Sequence, residues 1–132
     1  MRIVPIAVLA VFSIFVSACR KSAPVVTLHF SDAFHGPVVF QENKDGLRTD
    51  TKQIDLVIPA DGIVRVQSVR FFYHWSSQQA IRTNGDVIPL YNDEPYNARK
   101  VGVRLVHSGE KTVVFAVGTQ SECDELRHRS WE

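Results

Sequence analysis

The sequence predicts an all-β protein, an antiparallel β-sandwich of about seven to nine strands. Three observations carry this. Apolar residues recur at every second position through most of the chain beyond residue 24, the period at which side chains alternate across a strand. Turn-forming clusters interrupt the alternation at His35-Gly36-Pro37, Lys44-Asp45-Gly46, Pro59-Ala60-Asp61-Gly62, Thr83-Asn84-Gly85-Asp86 and His107-Ser108-Gly109-Glu110. No long segment carries the 3.6-residue spacing of an amphipathic helix.

The first element is a leader, residues 1–18. Arg2 precedes an uncharged run from Ile3 to Val16, interrupted in its apolar character only by Pro5 and Ser13. As a helix this run would rise roughly 21 Å, short of a hydrocarbon core of about 30 Å, so it reads as a cleaved signal rather than a membrane span. The small Ser17 and Ala18 suit the narrow subsites of a signal peptidase, which places cleavage after Ala18. Val16-Ser17-Ala18-Cys19 resembles the lipobox of bacterial lipoproteins. The resemblance implies that the Cys19 sulfur takes a diacylglyceryl group and that Cys19 becomes the new N-terminus. A thioether-linked Cys19 cannot pair, which leaves Cys123 as the odd thiol. Residues 19–24, CRKSAP, form a short polar tether. Arg20 stands where an acidic residue would retain some lipoproteins on the inner membrane. The outer membrane, facing the periplasm, is therefore favoured in an organism with two membranes.

Residues 25–120 form the β-domain. Val26, Leu28 and Phe30 share one face of the first strand, with Thr27 and His29 on the other. Ile54, Leu56 and Ile58 alternate with Asp55 and Val57, and Val101, Val103 and Leu105 alternate with Gly102 and Arg104. Further strands are predicted at Val38–Gln41, Gly62–Val69, Phe71–Trp75, Gln79–Thr83, Val87–Leu90 and Thr112–Val117. Asn84-Gly85 predicts a hairpin closed by a type I′ turn, because both residues tolerate positive φ. Residues 121–132 read as a polar C-terminal tail, a short helical turn or a loose end.

The elements FHGPVV at 34–39 and IPADGIVRV at 58–66, with FAVGT at 115–119 as a lesser match, resemble a family of uncharacterised small bacterial envelope lipoproteins with a transthyretin-like domain. The resemblance implies a transthyretin-like or immunoglobulin-like sandwich at the envelope. It implies no activity and no functional residues.

Charge and motifs narrow the chemistry. Fifteen basic residues, one of them Arg2 in the leader, stand against fourteen acidic ones. The mature chain is thus near neutral, which gives no electrostatic argument for nucleic acid. His29, His35, His74, His107 and His128 are scattered without zinc-ligand spacing, so no metal site and no cofactor is predicted. Ser108 and Ser121 lack the glycine frame of a nucleophile elbow. Asp93-Glu94 and Asp124-Glu125 lie in segments that read as solvated. No catalytic residue is assigned, and the chain reads as a non-enzyme.

Two segments suit recognition. In RFFYHWSS, 70–77, a strand would send Phe71, Tyr73 and Trp75 to the inter-sheet core and Phe72 and His74 to the outer face. Arg70 shares parity with the outer set, which supports that phase. The outer set is either absorbed within the fold or a ledge for a partner. Tyr91 and Tyr96, in YNDEPY, sit on a polar loop that suits recognition equally with an ordinary connection. The leading expectation is a lipid-anchored structural or protein-interaction module with an envelope protein as partner. The alternative is a lipoprotein that binds a small ligand or peptide.

Replacing Cys19 tests the anchor directly. Cys19→Ser is expected to lose incorporation of a palmitate analogue and to leave the membrane fraction while the domain still folds. Unchanged labelling would remove the lipobox reading.

Overall fold

The computed structural model describes residues 25–72, 77–91 and 98–131. The expectations for Cys19, Tyr73, His74, Trp75 and Tyr96 concern positions outside those residues. Within them the alternating segments form nine strands: β1 (Val25–Phe30), β2 (Gly36–Leu47), β3 (Gln53–Val57), β4 (Ile63–Val66), β5 (Ser77–Arg82), β6 (Val87–Ile88), β7 (Leu90–Tyr91), β8 (Gly102–Ser108) and β9 (Thr112–Gly118). One helix, α1 (Gln120–Arg127), follows. The strands make a four-stranded sheet in the order β3-β1-β5-β6 and a five-stranded sheet in the order β4-β2-β9-β8-β7.

The sheets are mixed, which corrects the antiparallel expectation. β2 with β9, β8 with β9 and β5 with β6 run antiparallel. β1 with both β3 and β5, β2 with β4 and β7 with β8 run parallel. From β1 to β5 the chain passes alternately from one sheet to the other, and two successive reversals restore the strand direction. Spaced turns say where a strand ends, and they are silent on whether the next strand pairs with it or crosses over. Pro89 marks a shorter crossing, since it separates β6 of the first sheet from β7 of the second. The Val87–Leu90 strand is accordingly split in two.

The alternation of β1 and β3 is realised in the core. Val26, Leu28 and Phe30 from β1, Ile54 and Leu56 from β3, and Ala80 from β5 meet Val38, Phe40, Val64, Val66, Val113 and Val117 of the other sheet in one cluster. Each of the Val, Leu, Ile and Phe side chains contributes about 1.5–3 kcal/mol by leaving water. One turn is docked through close backbone contact. Gly62 has φ +71°, and a Cβ there would stand 2.4 Å from the carbonyl oxygen of Pro37. The amide of Val39 donates to the Gly62 carbonyl at 2.7 Å, so the Pro59–Gly62 turn is docked onto β2.

The hairpin at Thr83–Asp86 forms with a different turn. The Arg82 amide donates to the Asp86 carbonyl and the Gly85 amide to the Arg82 carbonyl, leaving three loop residues with Gly85 at φ +95°. This is a three-residue loop with glycine in the left-handed position rather than a two-residue type I′ turn.

β8 departs from the expected phase. Val103 is buried in the core, but Val101 and Leu105 are exposed and Arg104 is buried. The reason is twofold. A bulge sets Val106 and His107 together opposite Val114, and α1 covers the outward face of this sheet. Val106, Val114, Ala116, Cys123, Leu126 and Trp131 form a second apolar cluster there. The Arg127 guanidinium fixes the helix to the bulge by donating to the Leu105 carbonyl from Nη2 at 2.8 Å and from Nε at 3.2 Å.

Residues 70–72 form a 3-10 turn, not the start of a strand. Neighbours in such a turn do not alternate across a sheet, so the strand phase has no meaning here. Phe71 is buried as expected, but Phe72 is packed against the core as well. Its ring lies 4.0 Å from Phe71, 4.8 Å from Phe40 and 5.1 Å from Phe115, centroid to centroid.

Phe71→Ala is expected to cost about 3–5 kcal/mol. Phe72→Ala should cost a comparable, somewhat smaller amount because its ring is partly solvated. Urea denaturation of both variants checks this, and a neutral Phe72→Ala would contradict the aromatic packing.

Candidate functional site

The two sheets treat their outward faces differently. The five-stranded sheet carries α1, whereas no described element covers the outward face of the four-stranded sheet. β1 lies inside that sheet, and of its off-core residues Thr27 is buried among its neighbours while His29 stands half-exposed at the centre of the face. Strand register extends this into rows. Asp55 on β3, Thr27 on β1 and Gln79 on β5 are cross-strand partners. One step along, Val57, His29, Ile81 and Val87 form a row across all four strands.

The first row is polar and internally bonded. His29 Nε2 donates to Asp55 Oδ1 at 3.0 Å, and Gln53 Nε2 donates to Asp55 Oδ2 at 3.3 Å. Gln79 Nε2 donates to Thr27 Oγ1 at 3.2 Å. These bonds hold the polar groups flat against the sheet. The second row is apolar around the imidazole, and its ends are solvated: Val57 is 72% and Val87 71% exposed. A row spanning three strand spacings is roughly 14 Å long. Exposed branched residues at both ends of a bonded polar lattice suit a flat contact with another protein surface more than enclosure of a small molecule.

A second feature lies under the N-terminus of α1. Thr119 caps the helix, its Oγ1 accepting from the Glu122 amide, while Glu122 Oε1 accepts from the Thr119 amide at 3.0 Å and hydroxyl at 2.9 Å. Glu122 Oε2 accepts from His35 Nε2 at 2.6 Å, tying the loop after β1 to the helix. The Thr119 amide foremost, then His35 and the Thr119 hydroxyl, pull the Glu122 carboxyl from 4.5 down to about 2. Beside this pair lies a half-open cavity of about 240 Å³ over Pro37, Val117, Cys123 and Leu126, rimmed by Glu125 and Arg129. A shallower basin of about 1040 Å³ lies at the β8–β9 turn between Glu42, Arg70 and Lys111.

Cys123 is a free, fully buried thiol whose Sγ lies 3.9 Å from the Ala116 carbonyl oxygen. Burial pushes it up from its ordinary value, Glu122 and Asp124 add to the rise, and Arg104 and Arg127 oppose it. The acidic neighbours noted in the sequence thus act in the expected direction but are secondary to burial. Among the described residues no three His, Cys, Asp or Glu side chains gather as metal ligands.

Of the sequence-predicted contact residues, only the Phe72 side chain falls among the described residues. Phe72 is partly buried and packs against the core. Tyr91 ends the two-residue β7, paired in register with Arg104, and the side chains of His74 and Tyr96 lie outside the described residues. Val57, Ile81 and Val87 were missed as a surface. Their signal was present as apolar residues out of phase on alternating strands, visible as a row only once the parallel registers were known.

No family profile and no curated protein sequence matches the chain. A solved chain described as a presumed lipoprotein from Bacillus anthracis is similar at a TM-score of 0.37 and 12% identity, covering 85% of this chain and 81% of that one.

The sign of the acid response follows from Glu122. Its folded value lies below its unfolded one, so its stabilisation is complete above pH 4.5 and is lost as pH falls toward about 2. Thermal melts through that window should show a falling midpoint that flattens in Glu122→Gln. An equal acid slope in the variant would contradict the cap. Cys123 should resist alkylation in the native state and react on unfolding.

Proposed function

We propose that the protein is a lipid-anchored β-domain of the bacterial cell envelope that works as a non-enzymatic protein-interaction module through the open face of its four-stranded sheet. The observation that carries the contact reading is the row Val57, His29, Ile81 and Val87, continuous across four strands, with its ends exposed. The anchor reading is supported by the lipobox-like Val16–Cys19 at the end of an uncharged run and by the short tether that enters β1 at Val25. Arg20 after the cysteine favours the outer membrane where there are two. The transthyretin-like likeness belongs to the same reading. Its FHGPVV and IPADGIVRV elements are where the Pro59–Gly62 turn meets β2.

The cavity beside His35 and Glu122 favours a second reading, a small-ligand-binding lipoprotein. The two differ in which surface matters.

A Val57→Glu/Val87→Glu double variant of the full chain separates them. Both sites are exposed, so the melting midpoint should move little. Protein adducts recovered from envelopes after mild crosslinking should be lost. An adduct pattern identical to the parent chain would overturn the contact reading.

A further inference from the structure

We infer that the partner of the open face is a second copy of this chain on the same membrane. The inference deepens the contact reading above and rests on its anchor. A twofold interface must be self-complementary, each surface element meeting what the symmetry places opposite it. The open face has that property. A twofold axis along the strands, lying between β1 and β5, lays β1 over β5 of the second copy and β3 over β6. Val57 then meets Val87 of the second copy and His29 meets its Ile81, and both relations repeat by symmetry. The polar row adds no bond across the pair, because Thr27 is buried and its Oγ1 already accepts from Gln79 of its own chain at 3.2 Å. Asp55, the carboxylate of the row, lies over neither its own counterpart nor another acid, and its Oδ1 already accepts from His29 Nε2 at 3.0 Å.

Size fixes how such a pair would form. Three strands of five or six residues and the two-residue β6 present a face of roughly 300 Å² at most. That is under half of the roughly 800 Å² each partner gives to a standard interface, so free chains in dilute solution should pair weakly. Anchoring changes the concentration term rather than the contacts. Residues 19–24 reach about 20 Å at full stretch, and they lead into β1, the strand at the centre of the face. Copies held in one membrane are thus confined to a thin layer with this sheet near the tether, which raises their effective concentration.

The test uses the full lipidated chain in phosphatidylethanolamine/phosphatidylglycerol vesicles. Val57→Cys, Val87→Cys and the double variant are each treated with a short bismaleimide able to span the ~10 Å between packed sheets. Cys123 is buried and common to all three. The double variant should give a linked dimer several-fold above either single variant, because each site faces the other kind across the axis. The same sample diluted in detergent micelles should lose most of that product. Flotation of the vesicles separates the two readings. Protein that floats but links no better in the double variant than in the singles overturns the twofold pair and leaves the anchored module standing. Protein that stays off the vesicles overturns the anchor, and the membrane-dependent pair with it.

Discussion

The structure depends on the way β1 is held, hydrogen-bonded along both edges to strands that run in its own direction, β3 on one side and β5 on the other. Parallel neighbours cannot follow β1 directly by a tight turn, so the chain must leave the sheet and return each time. It does so by laying β2 and β4 in the opposite sheet. The core therefore closes as the strands are threaded, each sheet gaining a member against the other. Val26, Leu28 and Phe30 are buried between residues that arrive from four separate crossings. The same threading aligns off-core residues of β3, β1, β5 and β6 into rows, and the open face is a by-product of that register.

Asymmetry between the outward faces is set by a small amount of chemistry. The Thr119–Glu122 cap starts a helix in a segment whose overall character is polar, Cys123 and Leu126 give it one apolar side, and Trp131 beyond its end packs against the same cluster. That side finds Val106, Val114 and Ala116 because the β8 bulge turns Val106 outward. The helix thus makes the outward face of the five-stranded sheet a second core. The four-stranded sheet has no such cover among the described residues and keeps its polar groups by bonding them to each other. His29, Gln53 and Asp55 satisfy one another, as do Thr27 and Gln79. A surface pre-bonded in this way can be approached by another protein without leaving buried polar groups unpaired.

Much of this was legible in the sequence wherever a strand is buried on one face only. Val26, Leu28, Phe30, Ile54, Leu56 and Ile58 are all where alternation puts them. It failed where a second element covers the other face or where the backbone leaves the strand. Arg104 is buried and Leu105 exposed because α1 and the bulge lie far along the chain from the residues they re-aim. Phe72 packs against the core because a 3-10 turn has no two-residue period. Direction of pairing was invisible for a simpler reason. Parallel and antiparallel neighbours present the same alternation, and only the connection between them differs. The open face inherits this limit, since Val57, Ile81 and Val87 are distant in sequence and adjacent only through parallel register.

The central claim is that the open face works in contact at the membrane while the helix-covered face is a closed structural layer. Hydroxyl-radical footprinting of the full chain, compared between native envelopes and the detergent-purified protein, measures this residue by residue. The account predicts lower modification of His29, Val57 and Ile81 in envelopes than in the purified protein, with Leu126 and Trp131 at equal levels in both. Equal modification of the open face in the two states, or protection confined to the helix side, would contradict it.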